Sequence, residues 1–395
     1  MISDKMIELT HSSSVIRAMF EEGNRLTTLH GRENVFDFSI GNPSIPPPDA
    51  VREAIIDIAT NVEPLKLHGY MTNAGHPEVR KAIADSLNTK YETSFDENNI
   101  VMSSGAAGGM NVVFKALLNP GDEVIIISPF FLEYTNYVTN YDGVPVIVPA
   151  NPENFYPDVD AICDAITPKT KVVVLNNPNN PTGVVYSEEV ILQLTKLLEE
   201  KSRKIDSPIY LLSDEPYREI VYEGAKVPFL TKYYKNTIVC YSWSKSLSLP
   251  GQRIGYVIIP NEADSHHLIF DAVCIATRIL GYMNASALIQ RVVAKCLEEE
   301  SNIAAYDANR KLLYDNLASL GFDIVFPEGT FYMWMKTPVD DKEFVNKAKD
   351  FNILIVPGSG FFCSGYARIA YCVAFDTIER SLPAFKKLAN EYKLT

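Results

Sequence analysis

Lys245 stands in the run Ser242-Trp243-Ser244-Lys245, and eight positions later Arg253 sits in Gly251-Gln252-Arg253-Ile254-Gly255-Tyr256. The residues just before, Thr237 to Tyr241, are apolar and β-branched enough to predict a short buried strand. A lysine at the end of such a strand, hemmed in by hydroxyls, can form a Schiff base with an aldehyde. Enzymes hold pyridoxal phosphate in this way. The hydroxyls and the arginine are what a phosphate group needs beside it. Taken alone, a single lysine is far more often a solvated surface charge. Four further stretches bear on the choice.

Ser103-Ser104-Gly105-Ala106-Ala107-Gly108-Gly109 falls between a predicted strand, Ile100 to Met102, and a predicted helix. Small residues let the backbone approach a ligand, and a helix N-terminus offers N–H groups and a positive dipole end to a phosphate. A tight turn that packs well would use the same residues. Asn176-Asn177-Pro178-Asn179-Asn180-Pro181-Thr182-Gly183 follows the run Lys171 to Leu175, and leaves Asn180 with a directional amide beside a strand end. Ser213-Asp214-Glu215-Pro216-Tyr217 follows Ile209 to Leu212. An aspartate entering the core there must find a partner, because an isolated buried carboxylate is very costly. A protonated pyridine nitrogen is one such partner, and capping the next turn is the ordinary alternative. Last, Arg368 lies within the alternating run Ala367 to Ala374. Its planar fork suits a carboxylate, from a substrate or from an internal salt bridge.

The elements that must hold these residues are readable from periodicity. Strand-like runs recur at Val124 to Ile127, Val144 to Val148, Lys171 to Leu175, Ile209 to Leu212 and Thr237 to Tyr241, with amphipathic stretches such as Glu188 to Lys201 between them. The helix after the glycine-rich turn presents Met110, Val113, Phe114, Leu117 and Leu118 on one face. This alternation predicts a mostly parallel sheet covered on both sides, and in such sheets ligands bind at the carboxyl ends of the strands. Beyond about residue 286 the pattern becomes one long helix, from Ala287 to past Arg310, then strands near Phe331 to Met335, Ile353 to Val356 and Ala367 to Ala374. The expected division is an N-terminal arm with part of a small domain over 1–46, a large cofactor-binding domain over 47–285, and a smaller α+β domain over 286–395.

At 395 residues the chain exceeds what one hydrophobic core serves. A net charge of −13 with no basic block argues against nucleic acid. No apolar run approaches the ~20 residues of a membrane helix, and the start shows no secretory h-region. Six cysteines without a C-x-x-C read as buried thiols of a reducing cytoplasm, and the six histidines offer no metal-ligand spacing, so no metal is expected.

Together these motifs resemble the class I aminotransferases of the aspartate aminotransferase type, which are fold type I pyridoxal-phosphate enzymes. The resemblance runs from Phe38-Ser39-Ile40-Gly41-Asn42-Pro43 to Arg368. It implies an α/β fold, a pyridoxal 5'-phosphate cofactor, amino acid and 2-oxo acid substrates, and a homodimer with shared sites. It makes Lys245 the Schiff-base lysine and proton shuttle and pairs Asp214 with the pyridine nitrogen. Tyr217 and Asn180 would bond the ring oxygen, and Gly105, Ala106, Ala107, Ser242 and Arg253 would bind the phosphate. Phe131 would stack on the ring. Arg368, with the backbone of Gly41, would hold the substrate α-carboxylate, and Tyr70 would reach the phosphate of the neighbouring subunit. Ala106-Ala107 replaces side-chain donors found in many relatives, so the phosphate must be held there by backbone. The motifs do not place a second arginine for a distal carboxylate; Arg278 lies in that region with its register left open, so aspartate is not singled out as the substrate. A β C–S lyase or a synthase acting on a sulfonium amino acid shares every motif. A ligand-sensing regulator on this fold would need a DNA-binding domain for which the chain has no room.

Overall fold

The computed structural model describes residues 2–11 and 15–394, so Ser12 to Ser14 of the N-terminal arm lie outside the described residues. The chain forms two compact units. One holds the N-terminal stretch to Ser44, Asn180–Val184 and Ala304–Thr395; the other holds Ile45–Asn179 and Val185–Ile303.

The larger unit is built on a seven-stranded sheet: β1 Ile100–Ser103, β2 Glu123–Ser128, β3 Val144–Pro149, β4 Thr170–Asn176, β5 Tyr210–Asp214, β6 Thr237–Ser242 and β7 Gly255–Ile258. Its order is β1-β7-β6-β5-β4-β2-β3. All neighbours run parallel except β7, which lies antiparallel to both β1 and β6. Residues alternate between two cores, as a strand period of two requires. Val239, Tyr241, Tyr256 and Ile258 face helices Asp49–Asn61, Pro77–Tyr91 and Ala287–Lys295. Ile238, Cys240 and Val257 face helices Gly105–Leu117 and His266–Ile279. Burial on both faces explains why the strands are continuous Val/Ile/Leu runs instead of alternating ones. The fold is thus the α/β, fold type I arrangement, with a mostly parallel sheet between helical layers.

One strand was not expected, and three expectations are corrected. The run Ile254 to Ile259 contains a strand, β7, whose direction is reversed. The long helix from Ala287 is two helices, Ala287–Lys295 and Ile303–Ser319. Between them the Ser301 amide donates to the carbonyl of Ser246 at 3.0 Å, which takes the backbone out of the helical ladder. The first of these helices buries Ile289, Val292 and Val293 against Val51, Ala54 and Ile58, so it goes with the larger unit although expected with the smaller. Finally, the strand at Arg368 spans Tyr366–Ala370 and stops short of Ala374. The Asn309 side-chain amide caps the carbonyls of Tyr371 and Val373 at 2.9 and 2.8 Å, satisfying groups a longer ladder would have used.

The smaller unit carries an antiparallel sheet in the order Val356–Pro357, Tyr366–Ala370, Tyr332–Lys336, Ile324–Val325. A parallel pair, Phe36–Asp37 with Ile353–Leu354, brings in the N-terminal stretch. Helix Phe375–Glu391 contributes Phe385 against Phe38, with ring centroids 5.8 Å apart.

Candidate active site

In the larger unit the chemistry gathers where β4, β5, β6 and β1 end. Register sets this: Asn176 lies opposite Asp214, and Gly255 lies between Ser242 and Ser103. Because β7 runs backwards, Arg253, two residues ahead of Gly255, arrives beside the ends of strands that point the other way.

Asp214 ends β5 and is buried, at 7% exposure. The Tyr134 hydroxyl donates to its Oδ2 at 2.5 Å, and the Asn176 amide donates to its backbone carbonyl at 2.9 Å. Its Oδ1 is buried with no hydrogen-bond partner among the described residues. Burial pushes this carboxyl up to about 7, against the pull of the Tyr134 hydrogen bond and with some help from the charge of Glu215. Tyr134 is itself enclosed, and its phenol is held well above the usual range by burial first and by Asp214 second. Tyr217, three residues beyond Asp214, is buried and close enough to Tyr134 to act on it electrostatically. Phe131 is half-buried and meets Tyr134 edge-on at 5.7 Å.

Lys245 sits on a single helical turn, Trp243–Ser246, directly after β6. Ser242 caps that turn, accepting from the Ser244 amide at 3.1 Å, and its hydroxyl also meets the Ser244 hydroxyl at 2.6 Å. From behind, the Tyr241 hydroxyl bonds Ser246 Oγ at 2.8 Å and Glu219 at 3.0 Å. The turn is therefore tied at both ends, which restricts where the lysine can point. Below it lies a buried ion pair, Arg218 with Glu215, whose guanidinium rests over the rings of Tyr91, Phe229 and Tyr241.

The glycine-rich turn opens helix Gly105–Leu117, whose N-cap, Ser104, makes no side-chain capping bond. Arg253 adopts a left-handed backbone and donates to the carbonyls of Pro250 at 3.0 Å and Ser104 at 3.4 Å. Gly105 has φ +74°, and a Cβ there would come within 2.7 Å of the Arg253 guanidinium. The positive φ favours a glycine here, and a Cβ would also displace the guanidinium. Helix N–H groups from Gly105, Ala106 and Ala107, the Ser242 and Ser244 hydroxyls and Arg253 thus form a cradle of donors suited to a phosphate. Tyr70 is 93% exposed, just past the short helix Pro64–His68. Arg278 is exposed in the last turn of His266–Ile279.

In the smaller unit Arg368 is buried, at 2% exposure, with Tyr332 and Phe361 flanking its guanidinium at 4.4 and 4.8 Å. It donates to the Ser39 carbonyl at 2.7 Å and to Asn180 Oδ1 at 3.1 Å. Its Nε is buried without a partner among the described residues. Its bonding partners are neutral, so the salt-bridge reading finds no carboxylate here. Gly41 packs on Tyr332 so closely that a Cβ would overlap the tyrosine hydroxyl.

Sequence reasoning missed Tyr134 and the two rings around Arg368. Tyr134 lies 80 residues from Asp214, and nothing in its local pattern distinguishes it from a core tyrosine. Among the described residues no group of His, Cys, Asp or Glu could hold a metal ion.

The residues fit pyridoxal phosphate on their own terms: a lysine on a fixed turn, a donor cradle, and a buried carboxylate oxygen that a ring N–H would satisfy. A strand-end lysine, carboxylate and phosphate cradle on this sheet define a fold type I pyridoxal-phosphate enzyme. The chain belongs to the family of class I and II aminotransferases, whose profile matches residues 33–384. A solved aminotransferase structure from Eubacterium rectale is 46% identical, with a TM-score of 0.97 and 99% of each chain covered. A probable aspartate/prephenate aminotransferase of Aquifex aeolicus is 31% identical over 91% of this chain and 92% of its own. An aromatic-amino-acid aminotransferase of Thermococcus litoralis is 28% identical over 100% and 99%. The protein is a pyridoxal-phosphate-dependent aminotransferase, moving an amino group between an amino acid and a 2-oxo acid; the lyase, synthase and sensor readings are not favoured.

Proposed function

We propose that Lys245 is the lysine that carries the cofactor and that Arg368 is the receptor for the substrate's α-carboxylate. The observation that carries the second role is a buried, flat guanidinium, stacked between two rings and bonded only to neutral acceptors. An unpaired buried cation is costly, and a bidentate carboxylate removes that cost. The neighbouring Asn180 and the backbone at Gly41 then orient the same end of the substrate.

Pyridoxal phosphate, when bound, supplies an aldehyde and an electron sink. The protein supplies the rest. The Nζ of Lys245, once released, takes the proton from the substrate Cα and carries it across. Asp214 keeps a hydrogen-bond acceptor, and a negative charge, at the pyridine nitrogen, while Tyr217 and Asn180 serve the ring oxygen. Phe131 covers a ring face. Gly105, Ala106, Ala107, Ser242 and Arg253 anchor the phosphate, so the lysine can leave without loss of the cofactor.

The working form in this reading is a cytoplasmic homodimer with Tyr70 of one subunit serving the phosphate of the other. Support comes from the exposure of Tyr70 and of Leu65, Leu268 and Ile279 on the same unit, large apolar side chains that a monomer would leave wet. All six cysteines are free, as a reducing compartment favours. No helix among the described residues is long and apolar enough to cross a membrane.

Relatives act, by name, on aspartate, prephenate and aromatic amino acids, which share only the α-amino acid or 2-oxo acid end. The α-carboxylate is therefore the feature this reading assigns to a residue. Mixing the enzyme with each amino acid in turn and following the cofactor spectrum tests it. Productive substrates convert the cofactor to its amino form and release the matching 2-oxo acid. Release of free ammonia and a thiol instead would establish a lyase.

A further inference from the structure

Tyr134 has no part in the reading above, yet it makes the shortest contact to Asp214. Its hydroxyl lies 2.5 Å from Oδ2, on the opposite oxygen from the one that lacks a partner. The ring is fully enclosed, stacked on Phe130 at 6.1 Å and edge-on to Phe131 at 5.7 Å, so the phenol cannot turn to water. Tyr137, on the same short helix Glu133–Thr139, acts on Asp214 electrostatically. Glu215, Cys240 and, through Tyr134, Tyr217 complete the titratable groups around the pair. Of these, Tyr134 donates a side-chain hydrogen bond to the carboxylate.

A short O–H···O⁻ bond stabilises the ionised acceptor and makes it a weaker base. We propose that Tyr134 is a positioning residue that keeps Asp214 ionised, so that the proton shared by Asp214 and the cofactor's pyridine nitrogen stays on nitrogen. This rests on the reading that Asp214 faces that nitrogen. Two bases share one proton, and the weaker base surrenders it. With the hydroxyl in place the carboxylate is the weaker base; without it the proton moves towards oxygen, and the ring loses the charge that makes it an electron sink. Only the proton changes place, so nothing else must be supplied.

The test is the ring-nitrogen chemical shift of holoenzyme reconstituted with cofactor labelled with nitrogen-15 in the pyridine ring, read between about pH 6 and pH 9. The wild type should show the protonated position throughout. Tyr134→Phe keeps the ring packing, removes only the donor, and should move the signal towards the neutral position, with the apparent pKa of the nitrogen lowered by about one pH unit or more. Fluorinated tyrosine at position 134, a stronger donor, should hold the protonated position to a pH above that at which the wild type loses it, read beyond about pH 9, and this variant serves if Tyr134→Phe does not hold cofactor. An unmoved signal in both variants overturns the inference, and so does loss of activity in Tyr134→Phe with an unmoved signal, which would make Tyr134 a packing residue. Asp214→Asn separates the two levels. If Asp214→Asn leaves the signal unmoved, the assignment of Asp214 itself is wrong; if Asp214→Asn moves the signal and the Tyr134 variants do not, only the inference fails.

Discussion

Replacing Asp214 by asparagine should make the cofactor-free protein more stable at alkaline pH, and the sign follows from its burial. The carboxyl is raised from 3.8 to about 7 in the folded chain. Between those values the folded protein retains a proton that the unfolded chain has released. Stability of the cofactor-free wild type therefore falls as pH rises from about 4 to about 7, then levels off. At 1.36 kcal/mol per pH unit, the loss amounts to about 4 kcal/mol by pH 8, against about 1.5 kcal/mol at pH 5. Asparagine does not titrate and can still accept from Tyr134, but its amide would stand unpartnered where Oδ1 does, at a cost of about 1–3 kcal/mol. The net gain at about pH 8 is then about 2 kcal/mol and vanishes or reverses at about pH 5. The change of roughly 3 kcal/mol between the two pH values is the sturdier quantity, because the constant cost cancels. Urea unfolding of both cofactor-free proteins at equal subunit concentration measures it. In the loaded enzyme, where the proposed reading gives Asp214 its partner, the order should reverse, and transamination by the variant should fall by about a hundredfold or more. Parallel pH profiles for the two cofactor-free proteins would refute the argument that Asp214 is an uncompensated buried acid.

Borohydride reduction of the holoenzyme followed by peptide mapping should place the label on Lys245, and Lys245→Ala should abolish transamination; a label on any other lysine refutes that role. Arg368→Lys keeps the charge but loses the fork, so kcat/KM should fall by at least about a hundredfold, roughly 2.7 kcal/mol, for every amino acid tried, with cofactor affinity unchanged. Strong destabilisation with normal residual activity would instead make Arg368 a structural residue. Gly105→Ala should weaken cofactor binding measured by equilibrium dialysis, because a Cβ at φ +74° crowds Arg253; unchanged affinity would remove the cradle from the account. A hybrid dimer with Lys245→Ala on one subunit and Tyr70→Phe on the other should retain about half the wild-type activity if Tyr70 acts across the interface, since one site is then intact. If Tyr70 acts within its own chain, the surviving lysine shares its site with the substituted ring and the tyrosine defect appears.

The elements of the larger unit were legible because burial on both faces leaves a plain signal. Runs such as Val124 to Ile127 and Val172 to Leu175 are uninterrupted, and the polar motifs follow them at once, so Asn176, Asp214 and Ser242 fall at strand ends. What periodicity cannot carry is direction. Ile254 to Ile259 has the composition of a strand, yet nothing local says that it runs against its neighbours. The break after Lys295 was invisible for a related reason, since the Ser246 carbonyl that draws Ser301 away is distant in sequence. At the site, residues in motifs were readable, and those that serve them from other elements were not. Tyr134 beneath Asp214 and the rings beside Arg368 become partners only through packing.

The reversed strand has a consequence for assembly. Gly255 pairs with Ser103 on one side and Ser242 on the other, so the phosphate cradle draws on segments about 150 residues apart in the chain. In the proposed reading no local fragment can hold the cofactor's phosphate; β1, β6 and β7 must first find their register. Non-local pairing of this kind forms slowly, because loop closure comes before any contact rewards it. Cofactor capture should therefore trail the formation of secondary structure during refolding. A ligand that binds only the finished cradle cannot guide the chain towards it, but withdraws completed molecules from the unfolding equilibrium. In the cell, a supply of pyridoxal phosphate would act as a ratchet on the last stage of folding, with no influence on the first.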